Sequence, residues 1–161
     1  MATLYSLDEF KKAIKTVCKA LSGSDIQWAV IGSSNLMLQG MNIIPNDLDL
    51  IVQWNNMEVV RSKFAPYDPS EIQKLNPLGK IDTEKLEITF NIDTVQVQVI
   101  GEISGGVYER KLVDKQLKMV QLDEVEVPCF SLSAEAQAYS ETGRETKAVK
   151  VREYMNIQSP W

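Results

Sequence analysis

The chain alternates between two hydrophobic periods, and the switches between them mark its elements. Leu7, Phe10, Ile14, Val17 and Leu21 recur at helical spacing. Ser6-Leu7-Asp8-Glu9 has the form of a capping box, with Ser6 as N-cap and Glu9 at the third helical position. Ser22-Gly23-Ser24 closes that helix. Ile26 to Ile31 is a short apolar run rich in β-branched and aromatic residues, which predicts a strand. Gly32 ends the strand, Ser33-Ser34 opens a short helix holding Leu36, Met37 and Leu38, and Gly40 stops it. A turn at Pro45-Asn46 leads into Asp47 to Val52, which alternates acid and apolar and then runs apolar, as a strand with one wet end does. Asn55 or Asn56 is placed to cap a further helix to about Phe64.

Residues 65–83 carry Pro66, Pro69, Pro77 and Gly79 and are the least regular stretch. They read equally as a substrate-facing loop and as a surface connection. Leu86 to Phe90 and Val95 to Ile100 alternate strictly, so a turn over Asn91-Ile92-Asp93-Thr94 makes them a hairpin. In that register Leu86 faces Val99, Ile88 faces Val97 and Phe90 faces Val95. One face is then apolar and the other carries Glu87, Thr89, Gln96 and Gln98. Leu117 to Leu122 and Val125 to Phe130 predict a second hairpin turning at Asp123-Glu124. Ser131 or Ser133 starts a helix through about Thr142, and Gly143 separates it from a last helix, Arg144 to about Asn156. Strands and helices interleave in the manner of an α/β (α+β) chain. With 161 residues and no internal repeat, the expectation is one domain spanning 1–161, the last two helices (about 132–156) packing on its core.

Composition then removes whole classes of function. Hydrophobic residues make up 44% of the chain and charged residues 24%, which suits a packed core and not wholesale disorder. The net charge of −5 argues against a domain that grips nucleic acid through a basic surface, though a bound metal ion can still supply local positive charge for a nucleotide. There is no histidine, so Ser-His and Cys-His triads and histidine-rich metal sites are excluded. Chemistry must rest on carboxylates, hydroxyls, lysines or bound metal. Cys18 and Cys129 are too few and too far apart for a disulfide framework or a zinc cluster, and each reads as a buried reduced thiol. No segment approaches the roughly 20 apolar residues of a membrane helix. Asp8, Glu9, Lys11 and Lys12 interrupt any signal-like run, so a cytoplasmic protein is the expectation.

Two short motifs carry the candidate chemistry. Asp47 and Asp49 lie two apart on a strand and therefore on one face. Paired carboxylates repel unless a positive charge sits between them, and a divalent cation such as Mg²⁺ is the common solution. Leu48 and Leu50 point the other way, into the core. Alone, Asp-x-Asp reads first as a solvated strand edge. Val30-Ile31-Gly32-Ser33-Ser34 is strand, glycine, hydroxyls, helix; alone, it reads first as a glycine turn with a serine cap. Glycine lets backbone approach a phosphate, and the helix start offers unpaired N–H groups.

Taken together, with thirteen residues between Ser33 and Asp47, the motifs resemble the signature of the DNA polymerase β-like nucleotidyltransferase superfamily. Val127-Pro128-Cys129-Phe130-Ser131, then a helix, then Gly143-Arg144-Glu145-Thr146-Lys147 resembles the C-terminal part of its small stand-alone members. Of these, the lincosamide-type antibiotic nucleotidyltransferases and the minimal nucleotidyltransferases paired with toxins are the most similar. The resemblance implies a mixed, twisted central sheet flanked by helices. It implies that Asp47 and Asp49 hold Mg²⁺ bridging the phosphates of a nucleoside triphosphate, that Gly32, Ser33 and Ser34 cradle the β- and γ-phosphates, and that Arg144 and Lys147 reach phosphate. The plainer reading of those two basic residues is surface salt bridging. The acceptor would be a hydroxyl on a small molecule or a protein, and a second copy of the chain or a toxin-type partner would complete an open cleft.

The pattern departs from the superfamily at one point. Active members carry a third acid on a later, adjacent strand, and here the polar face of Val95 to Ile100 carries Gln96 and Gln98. A glutamine brings no charge and cannot act as a base. Glu87, on the same hairpin face, and Glu102, just past the strand end, are the candidate replacements, with Glu87 better placed and Asp93 at the turn too far away. Two functions therefore compete: Mg²⁺-dependent nucleotidyl transfer, and a catalytically degenerate nucleotide-binding or antitoxin-like protein.

Overall fold

A computed structural model describes residues 7–75 and 83–158; Ser6, Pro77 and Gly79 lie outside them. Among these residues thirteen α-helices and strands follow one another as α1 (Leu7–Leu21), β1 (Trp28–Ile31), α2 (Gly32–Leu38), β2 (Leu48–Gln53), α3 (Met57–Lys63), β3 (Gln73–Leu75), β4 (Lys85–Ile92), β5 (Val95–Glu102), α4 (Val107–Val113), β6 (Leu117–Leu122), β7 (Val125–Phe130), α5 (Leu132–Glu141) and α6 (Glu145–Gln158). The strands form one mixed sheet in the order β3-β4-β5-β2-β1-β7-β6. The β2–β5 and β1–β7 pairs are parallel and the others antiparallel.

Alternation along the strands sorts the residues between two layers. Val30, Leu48, Leu50, Val52, Ile88, Phe90, Val97, Val99 and Cys129 face α1 and α3, meeting Phe10, Ile14, Val17, Val60 and Phe64. Phe64 and Phe90 stack with ring centroids 4.6 Å apart. On the opposite face, Ala29, Ile31, Ile51 and Phe130 meet Val107, Tyr108 and Leu112 of α4 and Ala134 and Ala138 of α5. A third cluster, Leu36, Ala136, Tyr139, Ala148 and Val151, packs α5 and α6 against α2. Both cysteines are free and buried, and burial pushes the Cys18 thiol up to about 11.

The structure amends the sequence reading in four places. The β4–β5 hairpin closes through two residues, Asp93 and Thr94, with Asp93 at φ 53°, instead of through four. A tight turn with a left-handed residue matches the twist of the strands. The pairing therefore moves by two: Ile88 faces Val99, Phe90 faces Val97 and Ile92 faces Val95. A shift of two conserves the faces, so Glu87, Thr89, Gln96 and Gln98 still share one. Asn56 makes no capping bond, because Trp54–Asn56 is itself a 3-10 turn leading into α3. The irregular stretch contributes the edge strand β3. Finally, α4 is not announced by periodicity; Glu102 caps it, its Oε1 accepting the N–H groups of Tyr108 and Glu109 at 2.6 and 2.7 Å. Ser131 is the N-cap of α5, accepting the Ala134 N–H at 3.1 Å. No helix among the described residues is long and apolar enough to cross a membrane.

Candidate functional site

The site forms where β1 ends and β2 begins. Ile31 pairs with Asp49 across the β1–β2 ladder, and Asp49 pairs with Gln98 across β2–β5. Leu48 and Leu50, either side of Asp49, are fully buried on the other face, which holds the Asp49 carboxyl to the α4–α5 side. Asp47 immediately precedes the strand. Gly32 turns the chain at φ +70°, a conformation costly for other residues, and a Cβ there would stand 3.0 Å from Asp49 Oδ2. Glycine is thus required both by the turn and by the carboxylate against it.

The two acids are an electrostatic conflict. Asp49 Oδ1 is buried without a hydrogen-bond partner. Burial first, then the neighbouring Asp47 carboxyl and its hydrogen bond, and then Glu135 push the Asp49 carboxyl up to about 9, against the pull of Lys147. Without a positive charge between them the two acids repel each other. An orphaned hard oxygen beside a second carboxyl fits a divalent cation, which would relieve both the desolvation and the repulsion.

Basic residues arrive from the C-terminal helices. Arg144 donates Nε to the Thr142 hydroxyl at 3.0 Å and an Nη to the Tyr108 hydroxyl, and its guanidinium lies 4.9 Å from the Tyr139 ring centroid. It is held rather than free on the surface. Exposed Lys147 lies over the same ring at 5.7 Å and acts electrostatically on Asp49. The Ser34 hydroxyl is committed within the fold, donating to Ile31 O at 2.8 Å and accepting the Asp49 N–H at 3.2 Å. Half-buried Ser33 lies one residue nearer the turn.

Of the candidate third acids, only Glu87 approaches. The revised register sets Thr89, not Glu87, opposite Gln98, yet the Glu87 carboxylate reaches diagonally and accepts a hydrogen bond from the Gln98 amide. It is thus one side chain removed from Asp49. Glu102 is spent on capping α4 and on Lys85, 3.5 Å away. Asp93 pairs with Lys12 at 4.0 Å at the far hairpin end. Among the described residues no group of three or more acids or cysteines is clustered to hold a metal.

Sequence reasoning missed Glu135. It is fully buried in the first turn of α5, and its Oε1 accepts the Gly32 N–H at 2.8 Å and the Asn35 amide at 2.9 Å. A carboxylate flanked by Ala134, Ala136 and Ala138 was the available signal.

The model of the aminoglycoside-2''-adenylyltransferase family matches residues 13–157. No curated protein matches the chain by sequence. Among solved structures, a candidate nucleotidyltransferase of Thermotoga maritima, TM1012, superposes with a TM-score of 0.67 at 20% identity, covering 92% of this chain and 94% of its own. JHP933 of Helicobacter pylori superposes at 0.46 and 12% identity, over 84% of this chain and 56% of its own. The Cid1 poly(U) polymerase superposes at 0.39 and 14% identity, over 70% and 36%.

Proposed function

From the premise that the chain belongs to the aminoglycoside-2''-adenylyltransferase family, within the polymerase β-like nucleotidyltransferase superfamily, we propose that it is a Mg²⁺-dependent enzyme transferring a nucleoside monophosphate from a nucleoside triphosphate to a hydroxyl of a small molecule. The observation that carries this reading is the buried, unpartnered Asp49 Oδ1 beside Asp47 and against Gly32.

In this reading Asp47 and Asp49 hold the cation. When bound, it supplies positive charge that neutralises the triphosphate and stabilises the charge developing at the α-phosphorus. Ser33 and the backbone of the turn face the β- and γ-phosphates, and Lys147 and Arg144 neutralise the departing pyrophosphate. The acceptor oxygen bonds to the α-phosphorus as the bond to the bridging oxygen breaks. Glu87 takes the acceptor's proton, with Gln98 holding its carboxylate toward Asp49. A polar hollow of about 510 Å³, lined by Tyr67, Asp68, Ser70, Thr89, Asn91 and Gln96, adjoins Gln98 along the strands and offers room for the acceptor. It presents hydroxyls, amides and one carboxylate beside the Tyr67 and Phe90 rings, which suits a neutral or cationic polyol. The family's name makes ATP the first donor to test and an aminoglycoside the first acceptor.

A second reading is favoured by one observation. The residue paired with Asp49 is Gln98, uncharged, so the site can bind nucleotide without turning it over. An antitoxin-like partner protein is the form this takes. Pyrophosphate release from Mg·ATP over a panel of polyhydroxylated acceptors separates the two. The transfer reading expects acceptor-dependent release that falls on the order of 10²-fold or more in Glu87→Gln. Nucleotide binding with no release on any acceptor supports the degenerate reading.

A further inference from the structure

Glu135 has no part in the reaction just described, yet its burial demands an account. Its side chain is 0% exposed, and Oε2 has no hydrogen-bond partner. A buried carboxylate is costly, and an apolar side chain would fill the space at lower cost. What the carboxylate does is hold a turn. Oε1 takes the Gly32 N–H and the Asn35 amide. The Asn35 amide also reaches Phe130 O at 2.9 Å, and Gln39 donates both to Asn35 Oδ1 at 2.6 Å and to Phe130 O at 2.7 Å. Asn35 on α2 and Gln39 just past its end, one turn apart, thus present a polar face to the end of β7 and the start of α5. Tyr154 of α6 adds a bond to Gln39 O at 3.1 Å.

The turn needs this support. A seven-residue helix is marginal by itself, and Ile31 at its N-cap position provides no side-chain cap. Gly32 is held at φ +70° with the Asp49 carboxyl on one side and Glu135 on the other.

We propose that Glu135 is a positioning residue of the candidate site, a cap supplied from α5 that fixes the Gly32–Ser33 backbone in the geometry a triphosphate would meet. Its link to ligand binding rests on the nucleotide-site reading; its hold on the turn does not. The test uses the full chain with Glu135→Gln, Glu135→Asp and Glu135→Ala. Amide hydrogen exchange at Gly32, read by NMR without ligand against Val30 as internal reference, reports the turn. Aspartate is one methylene too short to reach, so exchange at Gly32 rises about tenfold or more in the Asp and Ala variants. Glutamine keeps an acceptor oxygen, so its exchange stays within about threefold of the parent protein. Mg·ATP affinity measured by calorimetry falls in the same order, about tenfold for Asp and little for Gln. Affinity for Mn²⁺ alone stays within about twofold in the Asp variant, which keeps the negative charge that acts on Asp49.

Unchanged exchange at Gly32 in the Asp variant overturns the proposal. So does Mn²⁺ affinity falling in step with that for Mg·ATP in the Asp variant, which would make Glu135 a ligand. Should the Ala variant not fold, Asp against Gln decides. Should the parent protein bind no Mg·ATP, the nucleotide-site reading fails, while the exchange series still decides whether Glu135 holds the turn.

Discussion

β2 and β5 present two faces that could hardly differ more. Toward α1 and α3 they carry Leu48, Leu50, Val52, Val97 and Val99, all fully buried in one apolar layer. Toward α4 and α5 they carry Asp49, Ile51, Gln98, Ile100 and Glu102, where apolar cover gives way to carboxylates and an amide, with Asp49 Oδ1 left without a partner. Every step along either strand crosses from one regime to the other. The lesson is that rigidity and reactivity are built from the same residues in alternation: the leucines anchor Asp49 and are themselves uninvolved in its chemistry.

The largest effect should come from breaking the apolar face. Leu50→Ala removes a fully buried side chain and should destabilise the fold by about 2–5 kcal/mol, measured by urea unfolding. A loss below about 1 kcal/mol would show that this layer is not the anchor claimed for it.

A smaller effect sharpens the polar face. Gln98→Glu installs a carboxylate beside Asp49 with little change of shape. Mn²⁺ affinity should rise on the order of tenfold, and the metal-free protein should become less stable at neutral pH through like-charge repulsion. Equal affinity in the two proteins would mean that Gln98 does not occupy the place of the missing third acid.

The subtlest effect is in pH. Burial, the Asp47 carboxyl and Glu135 push the folded Asp49 carboxyl up to about 9, against an ordinary value of 3.8. The folded state therefore holds its proton more tightly. The resulting stability is complete below about pH 4 and is lost as pH rises toward 9. Melting temperature should fall from pH 6 to pH 9 without metal, and Asp49→Asn should flatten that slope. A rising slope with the carboxyl intact contradicts the assignment.

The same contrast explains what was legible in the sequence. The apolar face and the strands of both hairpins were read directly, because alternation is a local pattern. Gly32-Ser33 and Asp47-x-Asp49 were legible because motif and spacing are local too. The features that escaped depend on distant contacts. α4 starts where Glu102 folds back over Gly106 to cap it. β3 is three residues on a sheet edge. The β4–β5 register was decided by Asp93 entering the left-handed region, which alternation alone does not specify. Glu135 acts on Gly32 from 103 positions away, and nothing in its own neighbourhood marks a partner so distant.

The central claim is that Asp47, Asp49 and the Gly32 turn form a cation-dependent nucleotide site. Titrating ATP calorimetrically with and without Mg²⁺ into the parent protein, Asp47→Asn and Asp49→Asn tests it most directly. The account predicts binding by the parent only when Mg²⁺ is present, and its loss in both folded variants. Binding that is indifferent to Mg²⁺, or that survives Asp49→Asn, would contradict it.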